Sequence, residues 1–492
     1  MTRSAPILAA AILAAACATQ APVSPERKII DAAAAALGGA DRIQALKSIT
    51  IAGSGIAPLA GQNRMPDDDL PVWKVSDYTQ TIDLARMRTR VRQVREAQFL
   101  YAGDLVQHQD QGLDGAVAYN VAPDGTMSRA GEAAARDRRV DLLHHPIAIV
   151  RAALAPDAKL SNARMSGADD LVDLATPQGD VLTLAVNRTT HLPSGVVSMA
   201  DNANLGDVAV ATAFRDYEDV DGLKLPRRLT TRMDKYLQLD LQVSRNVVDA
   251  DVGDLAAPPG VREAAAPAPP PVVVTAEPVA KGIWWLAGSG NHRSVVFEFA
   301  DHLVLFEVPL NEARSKAVID KARTLSAKPL TMAIVSHHHF DHSGGLRVAV
   351  AEGLTIVTQR ANEAFFLDLL ARKHTIVPDE LQTHPRQATF VFVDDEMTLK
   401  DASMEVRLYH LLDNPREGTN LFAYVPRDRI LVQADLYDST WLQHPWGQNV
   451  LDNLARRHLV VDRDVPIHGA MEPFAQMVKT IKAKPFPATA TK

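Results

Sequence analysis

The sequence predicts an α/β layered domain in its C-terminal half, preceded by a mainly β domain with helices. Three observations predict this. The chain has 492 residues, too many for one ordinary hydrophobic core. Residues 256–280, AAPPGVREAAAPAPPPVVVTAEPVA, form a proline- and alanine-rich run that divides it into two similar halves. The hydrophobic pattern changes across that run, from mostly alternating text to repeated strand–helix pairs. No internal repeat relates the halves.

Composition bounds the function. Hydrophobic residues at 47% and charged ones at 23% describe a folded, soluble chain. A formal net charge of −7 supplies neither a basic footprint for nucleic acid nor a polybasic patch for an anionic membrane. The start of the chain reads as an address. Arg3 gives a positive n-region, residues 6–16 are apolar, and Ala14, Ala15 and Ala16 precede Cys17. Residues 1–17 are therefore expected to be a signal peptide. The small-small-small-Cys pattern resembles a bacterial lipobox, with Leu13 one place further upstream than usual. That resemblance implies lipidation of Cys17 and a place in the periplasm or outer envelope, the membrane being touched only through the anchor. Cleavage near Ala16 or Ala18, leaving a soluble exported protein, is the alternative. Cys17 is the sole cysteine, so disulfides contribute nothing.

In the N-terminal half, residues 25–37 are expected to be helical and Gly38-Gly39 to interrupt them. A short turn at residues 43–46 precedes a strand beginning at Ile49 and Ile51. Alternation marks strands at residues 78–94, 179–186, 208–214 and 237–243, with one helical island at about 130–155. Residues 216–226 read as a turn between strands. His144-His145-Pro146 reads as a helix terminus. The pattern of residues 25–255 weakly resembles the curved sheet of bacterial lipoprotein-sorting and carrier proteins. That resemblance implies an apolar ligand on the sheet's inner face; a spacer or docking module is the equal reading.

The C-terminal domain is expected to span residues 281–492. Strands at 282–286, 294–299 and 303–307 lead to a helix at about 313–325 and a buried strand at 331–335. Trp284 and Trp285 begin a strand and read as packing residues. The text Ser336-His337-His338-His339-Phe340-Asp341-His342-Ser343-Gly344-Gly345 comes directly after it. Side chains two apart on extended chain point the same way, so His337 and His339 can converge on one point. Asp341 and His342 turn with the loop towards a second. Neutral imidazole and carboxylate are zinc ligands, and burying three histidines without a partner is costly.

The spacing HxHxDHxGG is that of the metallo-β-lactamase superfamily, which the chain resembles from about residue 281 to 492. The resemblance implies an αββα sandwich with a metal site between the sheets. It also implies His337 and His339 at a first metal and Asp341 and His342 at a second. Asp435, ending the apolar run 430–434, corresponds to the family's bridging acid, and His468, before Gly469, to its last histidine. One position departs. Arg416 stands where the family's third motif carries a histidine. Arginine has no lone pair to donate and cannot be a ligand. The first site then keeps only His337, His339 and Asp435. One zinc, at Asp341, His342, Asp435 and His468, is therefore favoured over two, and His410 is the alternative substitute ligand.

The resemblance implies hydrolysis of a small-molecule ester, lactone, thioester or similar bond by metal-activated water. Asp341 would orient the nucleophile and Arg416 would stabilise developing charge. Tyr437 and His444 read as loop residues, structural or in contact with substrate. The competing reading is an envelope binding or carrier lipoprotein whose hydrolase-like domain has lost turnover through Arg416.

Overall fold

The computed structural model describes residues 23–99, 104–288, 290–441 and 443–483. Cys17 and its signal peptide lie outside the described residues. Among them, no helix is long and apolar enough to cross a membrane.

The first helix, Pro25–Leu37, begins where Ser24 Oγ accepts from Arg27 N (3.2 Å), with Pro25 in the turn that needs no donor. It ends at Gly38, whose φ is 126°. A 13-stranded, wholly antiparallel sheet then takes up the alternating text. Its first strand, Ser48–Pro58, pairs with both Val72–Asp83 and Tyr236–Val248, so the two ends of this half meet in mid-sheet. Alternate residues (Ile49, Ile51, Leu182, Leu184, Leu241, Val243) bury against Ile30, Leu37, Ile147 and Ile149 of the helices.

Three readings of this half change. The strand expected at 78–94 is two, Val72–Asp83 and Arg88–Ala97. The chain reverses where the Asp83 carboxylate accepts from Ala85 N and Arg86 N (3.0 Å each). The helical island is also two elements, Glu132–Leu142 and Pro146–Ala153, because a proline starts a helix but does not continue one. The residues 216–226 are mostly strand, and the reversal is confined to Asp221 and Gly222, both at positive φ.

The C-terminal half contains a seven-stranded and a six-stranded sheet. Three apolar cores order its layers. Helices Glu312–Arg323, Leu346–Ala351 and Glu363–Ala371 pack on the first sheet through Val318, Val348 and Phe366. The two sheets pack together through Phe297, Phe306 and Ile334 against Leu408, Ala423 and Val432. Helices Gly447–Arg456 and Phe474–Ala483 cover the second sheet through Val450, Leu454 and Met477. The order is αββα, as expected. Trp285 holds the sheets together, donating from Nε1 to Pro466 O (2.8 Å).

The run 256–280 is not a spacer throughout. Ala257 and Val261 pack on Tyr119, whose hydroxyl donates to Leu255 O (3.0 Å). Val274–Ala280 is the edge strand of the seven-stranded sheet, a place where Pro278 costs no ladder bond. The layered unit therefore begins at Val274 rather than at residue 281.

The halves pack together. Leu205, Val208 and Tyr236 share a core with Leu286, Val318 and Phe366. The Asp207 carboxylate accepts from Thr375 N and Ile376 N (2.9 Å each), and Asp234 pairs with Arg372 at 2.7 Å.

Candidate metal centre

The ligand-bearing loops leave the two sheets at one edge. Strand Leu330–Ile334 lies inside the first sheet and delivers residues 336–339, with His339 at the position just before the short helix Phe340–Ser343. In the second sheet, Ile430–Gln433 runs parallel to Arg463–Pro466, and their C-terminal ends deliver Asp435 and His468. Leu421–Val425 runs antiparallel to Ile430–Gln433, so the loop before it reaches the same edge.

Two groups of ligand atoms result, each within 4.8 Å: His337, His339, Glu417 and Asp435, and then Asp341, His342, Asp435 and His468. Asp435 belongs to both. Its backbone is left-handed (φ 61°), a conformation aspartate tolerates, and its carbonyl accepts from Trp446 Nε1 (2.7 Å). Asp435 Oδ1 lies 3.0 Å from His342 Nε2 and 2.8 Å from His468 Nε2. Its Oδ2 lies 3.7 Å from His337 Nε2 and 3.8 Å from His339 Nδ1.

The residues fit a metal ion on two observations. First, backbone carbonyls set two tautomers. His339 Nε2 faces Asn63 O (2.8 Å) and His468 Nδ1 faces Asn291 O (2.6 Å). A carbonyl only accepts, so those nitrogens carry the protons, leaving His339 Nδ1 and His468 Nε2 with lone pairs turned towards the cluster. Second, His337 Nε2, His339 Nδ1 and both Glu417 carboxylate oxygens are buried with no well-aligned hydrogen bond among the described residues, meeting one another and Arg416 only as ion-pair contacts. Buried polar groups are rarely left so, and this donor set suits a divalent cation.

The packing of charges sets the basicity of each group. Burial lowers the basicity of His339, but Glu417 and Asp435 outweigh it and push its pKa up to about 9. For His342, burial is likewise overcome by Asp341, Asp435 and Glu307, and its pKa rises. Burial acts against the ionised form of Asp435 too, yet His342 and His468 hold it well below the carboxylate range. His337 goes the other way, lowered by burial and by its neighbours His342 and His339.

Glu417 corrects the sequence reading of the first group. Its expected donors are His337, His339 and Asp435 alone, but the residue after Arg416 is a fully buried carboxylate 3.0 Å from His339 Nδ1. A ligand-type side chain beside the departed motif position was the available signal. His410 does not take the place, because its Nε2 donates to Gly418 O (2.9 Å). The Arg416 guanidinium faces the cluster, 3.1 Å from Asp435 Oδ2 and 3.4 Å from Glu417 Oε1. Tyr437 and His444 are not mouth residues. Both are buried and stacked, ring centroids 4.8 Å apart.

Further groups had no sequence signal. His292 Nε2 lies 3.6 Å from Asp341 Oδ2. Glu307, buried at φ 78°, accepts from Ser336 N (3.2 Å) and lies 3.6 Å from His342 Nδ1. Gln62 and Asn63 arrive from the other half of the chain.

Compared with known proteins, the chain matches no family model and no curated protein. Among solved structures it is similar to a metallo-β-lactamase from Pontibacter korlensis, at 15% identity and a TM-score of 0.33, covering 43% of this chain and 98% of that one. A metallo-β-lactamase from Hirschia baltica gives 13% and 0.35 over 43% and 99%. The metallo-β-lactamase FIM-1 from Pseudomonas aeruginosa, in its mono-zinc form, gives 16% and 0.34 over 43% and 96%. Likeness at this level says nothing of the site. The layer order and the ligand geometry stand on their own.

Proposed function

We propose that the C-terminal half is a metal-dependent hydrolase acting on an ester, lactone, thioester or similar bond of a small molecule. The observation that carries this is the convergence of seven buried or half-buried ligand side chains on two points that share Asp435. Zinc suits the donor set. When bound, it makes hydroxide available near neutral pH by lowering the pKa of its water to about 7.

The chain's own residues do the rest. The Asp341 side chain is 22% exposed, the most open of the group, and can hold a water proton at its carboxylate. Arg416 presents a fixed cation beside it and can receive negative charge developing on a substrate oxygen. His292 supports Asp341 from the far side. One zinc would be held firmly by Asp341, His342, Asp435 and His468. The Glu417 group is the weaker, because the Arg416 cation stands against two of its carboxylates. Export and a lipid anchor at Cys17 belong to the same reading, resting on residues 1–17 alone.

The test is zinc content per purified chain together with hydrolysis of an ester, lactone, thioester and β-lactam panel. About one zinc with turnover is expected. Two tightly held zinc ions would sink the one-metal part. No zinc and no turnover would leave the binding-protein reading. Arg416→His is expected to raise zinc towards two per chain and to lower hydrolysis at least about 10-fold; an increase in hydrolysis would mean that Arg416 has no role in turnover.

A further inference from the structure

One wall of the metal centre comes from the other half of the molecule. Residues 59–71 connect strands Ser48–Pro58 and Val72–Asp83, and this loop lies between the 337–342 segment and the 414–419 segment. Its seat is close on both sides. Gly61 (φ 70°) leaves no room for a Cβ against the Phe340 ring, and Gly418 leaves none against Met65. Gly418 N donates to Arg64 O (2.9 Å), and Arg64 Nε donates to Asn414 O (3.2 Å).

Two residues of the loop meet the centre itself. The carbonyl of Asn63 accepts from His339 Nε2 (2.8 Å), and its side-chain oxygen lies 3.3 Å from His338 Nε2. The Asn63 amide nitrogen donates back to Met65 O (2.5 Å) and Asp68 O (3.3 Å), which fixes the local backbone and hence the carbonyl. Asn63 is 4% exposed. The Gln62 amide bridges the charges at the mouth. Its Nε2 donates to Asp341 Oδ1 (2.9 Å), and its Oε1 accepts from Arg416 Nη2 (2.6 Å).

We propose that Gln62 and Asn63 of the N-terminal half are positioning residues of the metal centre in the C-terminal half. Asn63 holds His339 in the tautomer that turns Nδ1 to the weaker Glu417 group, which shares Asp435 with the firm one, and Gln62 sets the separation of Asp341 and Arg416. This rests on the metal reading of the cluster. It also gives the packing of the two halves a consequence: the loop is seated on Phe340, Asn414 and Gly418 of the other half, so the centre is complete only when both halves are present. Partners that hydrogen-bond a ligand's far side typically change metal affinity about 10- to 100-fold.

The test uses the full chain with Asn63→Ala and, separately, Gln62→Met, which keeps side-chain length without the amide. Zinc affinity by chelator competition and the visible spectrum of the cobalt(II) form are compared with wild type, and near-ultraviolet circular dichroism checks the fold. Asn63→Ala is expected to weaken uptake of a second zinc equivalent, in the weaker Glu417 group, about 10-fold or more and to shift the cobalt bands of the form loaded with two equivalents, which report the ligand field at His339. Gln62→Met, whose side chain is half-exposed, is expected to fold normally and to alter the cobalt spectrum through Asp341. It keeps the idea testable if Asn63→Ala fails to fold. A wild type that binds metal, with folded variants of wild-type affinity and spectrum, overturns this inference alone. A wild type that takes up no metal overturns the metal reading and this inference with it.

Discussion

Each half of the molecule buries adjacent histidines, and the two sets are handled differently. In the N-terminal half, His144 lies between Thr212 Oγ1 and Ser198 Oγ (2.9 Å each), and His145 is enclosed without a hydrogen bond among the described residues. Burial lowers both, His144 to about 4 and His145 to about 3, so both are neutral and no carboxylate answers them. In the C-terminal half, His339 and His342 face Asp341, Glu417 and Asp435. A buried histidine met by hydroxyls or by apolar contacts is part of a core. Buried histidines and carboxylates with donor atoms left over make a place for a cation.

The largest expected effect falls on the shared ligand. Asp435→Ala removes a donor from both groups and should leave almost no zinc by elemental analysis, with hydrolysis down at least about 100-fold. Retention of a full zinc equivalent would erase the distinction between the two histidine sets.

Acid should act first on the N-terminal set. His144 and His145 have folded pKa values below the 6.5 of the unfolded chain. Their contribution is therefore intact above pH 6.5. It declines as pH falls towards 4 and then 3, because the unfolded state takes up protons first. At about 1.4 kcal/mol per pH unit, His144 accounts for roughly 3 kcal/mol and His145 for roughly 5 kcal/mol. Hydrogen exchange in helix Pro146–Ala153 at about pH 7.5 and about pH 4.5 should show the loss; equal protection at both would mean these histidines are not held neutral.

The smallest effect should separate the sets most cleanly. His144→Ala removes the partner of Ser198 and leaves Thr212 with Thr231 alone, and should destabilise the chain by about 1–3 kcal/mol in denaturant unfolding. Zinc content should stay at the wild-type value. A fall in zinc would show that the N-terminal core, and not only its 59–71 loop, reaches the metal centre.

Much of the fold was legible because it rests on local pattern. Period-two alternation marked the strands, and Ser24, Pro25 and Gly38 marked the first helix. Errors came where a few atoms decide: a carboxylate reversing the chain at Asp83, a proline restarting a helix at Pro146, a two-residue reversal at Asp221-Gly222. In the site, His337, His339, Asp341 and His342 were legible because they lie within six residues. Glu417 was missed because it shares no spacing with them, and Arg416 drew attention to the motif position beside it.

The sequence by itself determined the layer classes, the strand that presents the histidines, and the residue types able to hold an ion, since side-chain period and ligand chemistry are local properties. Only the tertiary structure decided that Glu417 completes one group and that His410 is spent on Gly418 O. It alone showed that Gln62 and Asn63 close the site from the other half. The physical reason is distance along the chain. Gln62 lies 279 residues from the Asp341 it touches, and Asn63 lies 276 from His339. A contact of that span leaves no period, and only the packing of two folded halves makes it.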